Sequence, residues 1–397
     1  MSEFVRIIDP AGRTIRNDLY NSPPDAASYI IFKDGGLVKA KNGRTGQIEF
    51  SGDDAATVIQ QAIDALPVHG GKIFIKRGNY KINTQINIAT DHVHIEGESI
   101  GWGTEGSGSA YSATTLYTED DIGYILNFTG MWGSIARLNL RGGHKSGGVS
   151  FNTESFVTEC FITQCTTGIN SGSHSRIYDN LIEYCENGIY LNWWETIIDN
   201  TFGHNTVGSL VHGGGRVVIV GNTDEKSASF YLAWPTELKY VISIGNILLE
   251  HTDSIYKLHG HTTDQVYIIG DIVDGGGVTP HYIETHAGRT ILDVVVAHCS
   301  VKNLTGAVFL EQAEGTIKKH HVSGFVAEGS GTATIPAGST SVTVSHGLAT
   351  TPTKVLVTPI GDPGDRFWVA NVTSTSFDIV VATAPAADID FYWQAEV

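Results

Sequence analysis

Between about Ser134 and Phe325 a short β-branched or aromatic run meets a polar residue, a second run follows, and an apolar run leads into a loop. Then the pattern starts again. The polar residue of each copy falls at Asn139, Cys160, Asn180, Asn200, Asn222, Asn246, Asp271 and Cys299, at spacings of 21, 20, 20, 22, 24, 25 and 28. Strands this short cannot bury a core alone, so a period of this length requires one unit to stack on the next. A leucine-rich frame is absent, and a propeller blade needs roughly 40 residues. A parallel β-helix remains. Its rungs are about 4.8 Å apart, so residues matched in phase form columns. An Asn column then makes structural sense, because a stacked amide donates to one rung and accepts from the other, and Asn tolerates the left-handed backbone of a tight bend.

The copies Ile177-Tyr178-Asp179-Asn180, Ile197-Ile198-Asp199-Asn200 and Val218-Ile219-Val220-Gly221-Asn222, with Gly70-Gly71-Lys72-Ile73-Phe74-Ile75 and Gly78-Asn79-Tyr80-Lys81-Ile82 upstream, resemble the pectin lyase-like superfamily. The resemblance covers roughly Asp53 to Ala327 and implies an all-β, right-handed parallel β-helix. It fixes chemistry poorly, since that superfamily holds hydrolases, lyases, epimerases and pure binders. The Trp-Ile-Asp-His and Arg-x-Pro-x-x-Arg elements of pectate lyases are absent, as are the Asn-Thr-Asp and Gly-His-Gly elements of polygalacturonases. No catalytic residue carries over from either.

The net charge of −17 argues against nucleic acid and anionic membrane as partners, because phosphate binding needs a basic stripe. No apolar run is long enough to span a bilayer, and Met1 to Pro10 lacks the apolar region of a signal peptide. An extracellular or virion-associated protein without a recognisable signal is the expectation. Cys160, Cys165, Cys185 and Cys299 show no metal spacing. Cys165 and Cys185 lie one rung apart and are expected to stack in the core as small hydrophobes rather than form a disulfide.

In chain order, residues 1–50 read as an arm that docks on a neighbour or an attachment point, with a hairpin signal around Lys33-Asp34-Gly35-Gly36. Residues 51–328 read as the β-helix. Its first segment, with Ala55, Ile59, Ala62, Ile63 and Leu66 after an Asp53 or Asp54 cap, predicts a short helix covering the open end of the coil. Gly97 to Ser112 reads as a long loop, either a groove wall or a flap. Residues 329–397 lose the long period and alternate, which predicts a small antiparallel β-sandwich of six strands. Its stretch Ala337 to Leu348 looks like C-terminal modules of phage tail proteins and bacterial adhesins, which implies trimerisation or sugar binding. His346, Trp368 and Trp393 are either a glycan platform or simply aromatic core and rim.

Alternation in the third strand of each rung, with Leu191, Val211, Leu232, Leu258, Ile283 and Leu310 set inward, turns Tyr190, Tyr231, Lys257, Tyr282 and Phe309 outward. Two residues further on come Asn192, His212, His259, Glu284 and Glu311. Tyr190, Tyr231, Tyr282 and His212, with Trp193, Trp194 and Trp234 at the strand exits, form an expected sugar-binding surface, since aromatic rings with a polar tip suit pyranose faces. The same face would also serve as a subunit interface in a homotrimer.

Carboxylates in matched positions supply the chemistry. Glu284 with Glu311, one rung apart, suits the short separation of a retaining glycosidase. Glu225 with Asp274, two rungs apart, suits the longer separation of an inverting one. Lys257 and His259 among tyrosines suit β-elimination or epimerisation of a uronate, often with Ca²⁺. No His spacing supports a metal centre, and Ca²⁺ is the one cofactor this pattern leaves open. The expected function is a polysaccharide-degrading β-helix enzyme, with a glycoside hydrolase first, a uronate lyase or epimerase second and a non-catalytic glycan-binding adhesin or virion fibre third.

Overall fold

A computed structural model describes residues 27–101, 113–212, 215–233, 237–323, 326 and 328–397, together with the short strand pair Ile7–Ile8 and Thr14–Ile15. The expected Gly97–Ser112 loop lies outside the described residues from 102 to 112, as does Trp234. The His212 side chain is likewise not described.

The chain winds into a parallel β-helix with three sheets, two of them of ten strands. One turn shows the plan. Arg176–Tyr178 lies on the first face, Leu181–Glu183 on the second and Asn187–Leu191 on the third, before Glu195–Ile198 returns to the first. Every strand pairs in parallel with the equal strand of the next turn, as Leu181 does with Thr201 and Thr201 with Thr223. Inward side chains make one continuous core of Ile, Val, Leu and Phe running the length of the coil.

The first bend explains the repeat. Asn180, Asn200, Asn222 and Asn246 are buried and stacked. Each side-chain oxygen accepts from the backbone N–H and side-chain amide of the preceding rung: Asn180 to Asn200, Asn200 to Asn222 and Asn222 to Asn246, at 2.9–3.2 Å. The ladder is therefore polar, with its donors pointing towards the C-terminus. It ends on Asp271, a pure acceptor when ionised. One oxygen of Asp271 takes the Asn246 donors (3.0 and 3.1 Å), and the other takes the hydroxyls of Tyr256 (2.7 Å) and Tyr282 (2.9 Å). The next rung offers Cys299, whose thiol is only a weak acceptor and takes the Tyr282 hydroxyl at 3.3 Å. Two details differ from expectation. Asn139 pairs with Phe161, so Leu138 is the residue in register with the ladder. The left-handed residue of the bend also precedes the Asn: Asp179, Asp199, Gly221, Gly245 and Gly270 have φ between 53° and 74°.

The helix Ala55–Asp64 starts at Asp54, whose carboxylate accepts from Thr57 N–H (3.2 Å), and buries Ala55, Ala56, Val58, Ile59, Ala62 and Ile63 at the N-terminal end. Within the expected N-terminal arm, Tyr29–Asp34 and Leu37–Asn42 form the hairpin. It extends the first face, since Tyr29–Asp34 pairs in parallel with Gly71–Ile75, and Ile48–Gly52 closes the edge. The four cysteines are buried and free, as their spacing predicts. Beyond residue 328, two three-stranded antiparallel sheets enclose a second core around Phe377, Ile379 and Phe391. His346 and Trp393 pack on Phe377 in that core, whereas Trp368 is exposed.

Candidate functional site

On the third face the register corrects the expected phase. Leu191 pairs with His212 rather than Val211, so Val211 and Leu232, and later Leu310, fall one residue out of the expected phase and turn outward, whereas Leu258 and Ile283 keep it, since a shift of one exchanges the two sides of a strand. The inward column is Ile189, Leu210, Tyr231, Tyr256, Ile283 and Phe309, and the outward one is Asn170, Tyr190, Val211, Leu232, Lys257, Glu284 and Leu310. Tyr231 and Tyr282 are fully buried and cannot contact a sugar. Tyr282 donates to Asp271 instead. Tyr190, Trp193 and Trp194 are exposed.

Lys257 and Glu284 do face outward, one rung apart, but their charges are already paired. Lys257 is bound to Asp253. Glu284 accepts from Ser254 (2.6 Å) and meets His259 Nε2 (3.1 Å), and His259 is only 6% exposed. Burial lowers the His259 pKa against the opposing pull of Glu284. Glu311 does not stack on Glu284, because Leu310 holds that position; its carboxylate pairs with Lys319 (2.6 Å).

The second face holds the remaining expected acids. Its outward column runs Thr163, Glu183, Gly203, Glu225, Leu249, Asp274 and Lys302. Glu225 and Asp274 are indeed two rungs apart, but Leu249 fills the space between them. Asp274 accepts from Asn303 (2.8 Å), Gly276 N–H (3.1 Å) and Lys302 (3.0 Å), and these bonds lower its pKa to about 2. It is a turn anchor.

On the opposite side of Glu225 the neighbour two rungs away is Glu183, and the residue between is Gly203. The Glu183 carboxylate leans over that glycine, 4.0 Å from where a Cβ would stand. The two acids differ in environment. Partial burial raises the Glu183 pKa, against a weaker pull from His204. The hydrogen bond from Lys226 (2.6 Å) lowers that of Glu225. The His204 ring stacks flat on Tyr184 at 4.7 Å. Two shallow hollows lie at the two ends of the Leu181–Glu183 strand. One, of about 360 Å³, is lined by Phe161, Asp179, Leu181, Asp199 and Thr201; the other, of about 280 Å³, by His144, Thr166, Tyr184, Glu186 and Thr206. Phase counting in the sequence pairs Glu225 with Asp274 and leaves Glu183 out. The available signal was Gly203 at equal phase between two glutamates.

Other acids of this region are structural. Asp224 and His251 are wholly buried and bonded to each other at 3.0 Å. Glu195 is 1% exposed and caps the turn before it, Oε1 accepting from Asn192 N–H (2.9 Å) and Ser171 (3.3 Å); burial raises its pKa to about 7. Among the described residues no group of three or more His, Cys, Asp or Glu gathers as a metal site. No described helix is long and apolar enough to cross a membrane.

No protein-family model matches the sequence, and no curated protein matches it. Among solved structures, ORF18 of Geobacillus virus E2 is similar over 89% of this chain and 84% of its own, at 12% identity and a TM-score of 0.52. The tailspike of E. coli bacteriophage HK620, solved with a pentasaccharide, is similar over 87% and 90%, at 9% identity and a TM-score of 0.47. DFA-IIIase from Arthrobacter chlorophenolicus A6, solved with GF2, is similar over 69% and 91%, at 13% identity and a TM-score of 0.44. At such identities the likeness is one of fold. This chain is a β-solenoid.

Proposed function

We propose that the chain is a polysaccharide hydrolase that cleaves its substrate across the second face, with Glu183 as general acid and Glu225 as general base. The observation that carries this reading is the column Glu183, Gly203, Glu225, in which two glutamates hold equal positions on either side of a residue without a side chain and have pKa values pushed in opposite directions. Acid and base roles separate where environments split two such groups. Equal positions two rungs apart are separated by about 10 Å, and side chains leaning inward shorten that towards the roughly 6.5–9.5 Å that leaves room for a water in inverting hydrolysis. Glu183 protonates the glycosidic oxygen while Glu225, kept ionised by Lys226, takes a proton from the water attacking the opposite side of the anomeric carbon. The hollows at the two ends of the Leu181–Glu183 strand are suited to the flanking sugars.

Reducing-end release from a panel of acidic and neutral polysaccharides tests this. Glu183→Gln and Glu225→Gln should each lower the rate by about 10²–10⁴-fold, with an inverted product by NMR. Full activity in either variant removes the assignment.

A second reading rests on the third face. His259 is held by Glu284 beside the Lys257 ammonium, a base and countercharge for uronate elimination. An unsaturated product absorbing near 235 nm would mark it, and glycan binding without either product would mark an adhesin. As a virion-associated or extracellular protein the chain has a surface suited to a homotrimer. Outward residues Ile198, Val218, Val220, Ile242, Ile244 and Ile269 of the first face are apolar and stacked over four rungs. Light scattering at three times the chain mass is expected.

A further inference from the structure

The corner between the third and first faces carries a column of a different kind. His174 and Trp194, both left-handed, stack with ring centroids 5.6 Å apart and planes 10° from parallel. One rung on, the Arg216 guanidinium lies over the other face of Trp194, 4.1 Å from its centroid, and is covered in turn by Tyr240 at 4.5 Å. Arg216 is thus held between two rings. Most cations of the second and first faces are matched to carboxylates, among them Lys226 to Glu225, Lys239 to Glu237 and Lys318 to Asp293. Arg216 is exposed and, among the described residues, makes no ion pair or hydrogen bond.

That arrangement has a chemical consequence. Stacking covers both faces of a guanidinium and leaves its N–H donors in the plane, directed at the open edge. The rings also remove the rotamer freedom that an exposed arginine would lose on binding, so little is left to order when a ligand arrives. Such a fork matches an oxyanion in two-point contact. The charge context sharpens it. In a chain of net charge −17, an arginine left without a carboxylate keeps its full charge available.

Beside it stands an open aromatic surface. Trp193 is 56% exposed, with one side of its ring on Gly215, where a Cβ would come within 2.6 Å of it. Only a glycine, here at φ 110°, lets the ring lie so close to the backbone that leads into Arg216. The turn that presents Trp193 is anchored beneath by the buried Glu195, through Asn192 N–H.

We propose that Trp193 and Arg216 form a binding site for an anionic sugar, the pyranose face resting on the indole and its carboxylate or sulfate taken by the guanidinium fork. The site lies on the corner opposite the second face, so it holds the chain of a charged polysaccharide without taking part in bond cleavage. It therefore stands independently of Glu183 and Glu225.

The test is calorimetric titration of the full chain in the Glu183→Gln background, which removes turnover from the measurement. Three probes are used: an oligogalacturonate hexamer, the same hexamer fully methyl-esterified, and a sulfated hexasaccharide. Binding of either acidic hexamer, at least tenfold tighter than the ester, is expected, and which of the two binds identifies the anion. Arg216→Ala should lower that affinity at least tenfold, Arg216→Lys should recover only part of it because an ammonium lacks the planar fork, and Trp193→Ala should weaken the acidic hexamer and its ester alike. Melting temperatures of the variants, unchanged within a few degrees, separate this from a packing role. Equal affinity for acid and ester, an unaltered Arg216→Ala, or no binding of either acidic probe would overturn the site, whatever becomes of the hydrolysis assay.

Discussion

The second and third faces carry the same kinds of residue in opposite states. On the third, Lys257 is bound to Asp253, Glu284 to His259 and Ser254, and Glu311 to Lys319. On the second, Glu183 and Glu225 hold equal positions on either side of Gly203, with one cation, Lys226, on Glu225. A carboxylate whose lone pairs are occupied stabilises its neighbourhood, and one without a cation or donor on it is available to a ligand. Residue type alone does not distinguish these states. What occupies the adjacent rung does.

The comparison can be broken most directly by activity. Glu183→Gln and Glu225→Gln should lose about 10²–10⁴-fold in rate, while Glu284→Gln should stay within about threefold of the parent because its face takes no part. Parity of the three would erase the distinction. Stability should show the reverse order. Glu284→Ala removes the acceptor of both Ser254 and His259, at about 1–3 kcal/mol, visible as a lower thermal midpoint. Glu183→Ala, which leaves no buried donor behind, should move the midpoint little.

A smaller effect tests the gap itself. A Cβ on Gly203 would meet nothing closer than 3.4 Å, so Gly203→Val should fold with an unchanged midpoint. Its branched side chain would nevertheless occupy the space between the acids, and a roughly tenfold fall in kcat/KM is expected. Normal kinetics in that variant would place the substrate elsewhere. The smallest effect concerns pH. Glu225 works ionised, and Lys226 depresses its pKa, so activity is lost on the acid side as pH falls through that lowered value. In Lys226→Met the pKa returns upward, and the acid limb should move to higher pH. The alkaline limb, set by the raised pKa of Glu183, should stay in place.

The coil, the polar ladder and the capping helix were legible in the sequence, because each is a matter of period. Asn180, Asn200, Asn222 and Asn246 recur at one phase of a fixed repeat, and an unbonded amide inside a core would be too costly to recur by chance. The third face was not legible. Bends of 20 to 28 residues' spacing absorb an extra residue between strands, and alternation of period two cannot report which side a strand resumes on. That ambiguity turned Tyr231 outward in sequence and inward in the structure, whereas Tyr282 is buried ahead of the strand Ile283–Thr285, where its hydroxyl reaches Asp271. It also paired Glu284 with Glu311, which the fold sets out of register.

By itself, then, the sequence determined that this chain stacks rungs, which residues hold the first bend, and that acids and aromatic rings crowd its outer positions. Only the tertiary structure decided which acids are matched by cations, that Gly203 stands between Glu183 and Glu225 in one column, and that Trp194 and Tyr240 close over Arg216. The physical reason is that a ladder is repeated locally, rung by rung, whereas the availability of a charge depends on neighbours 20 or more residues away in the chain that only the winding brings alongside.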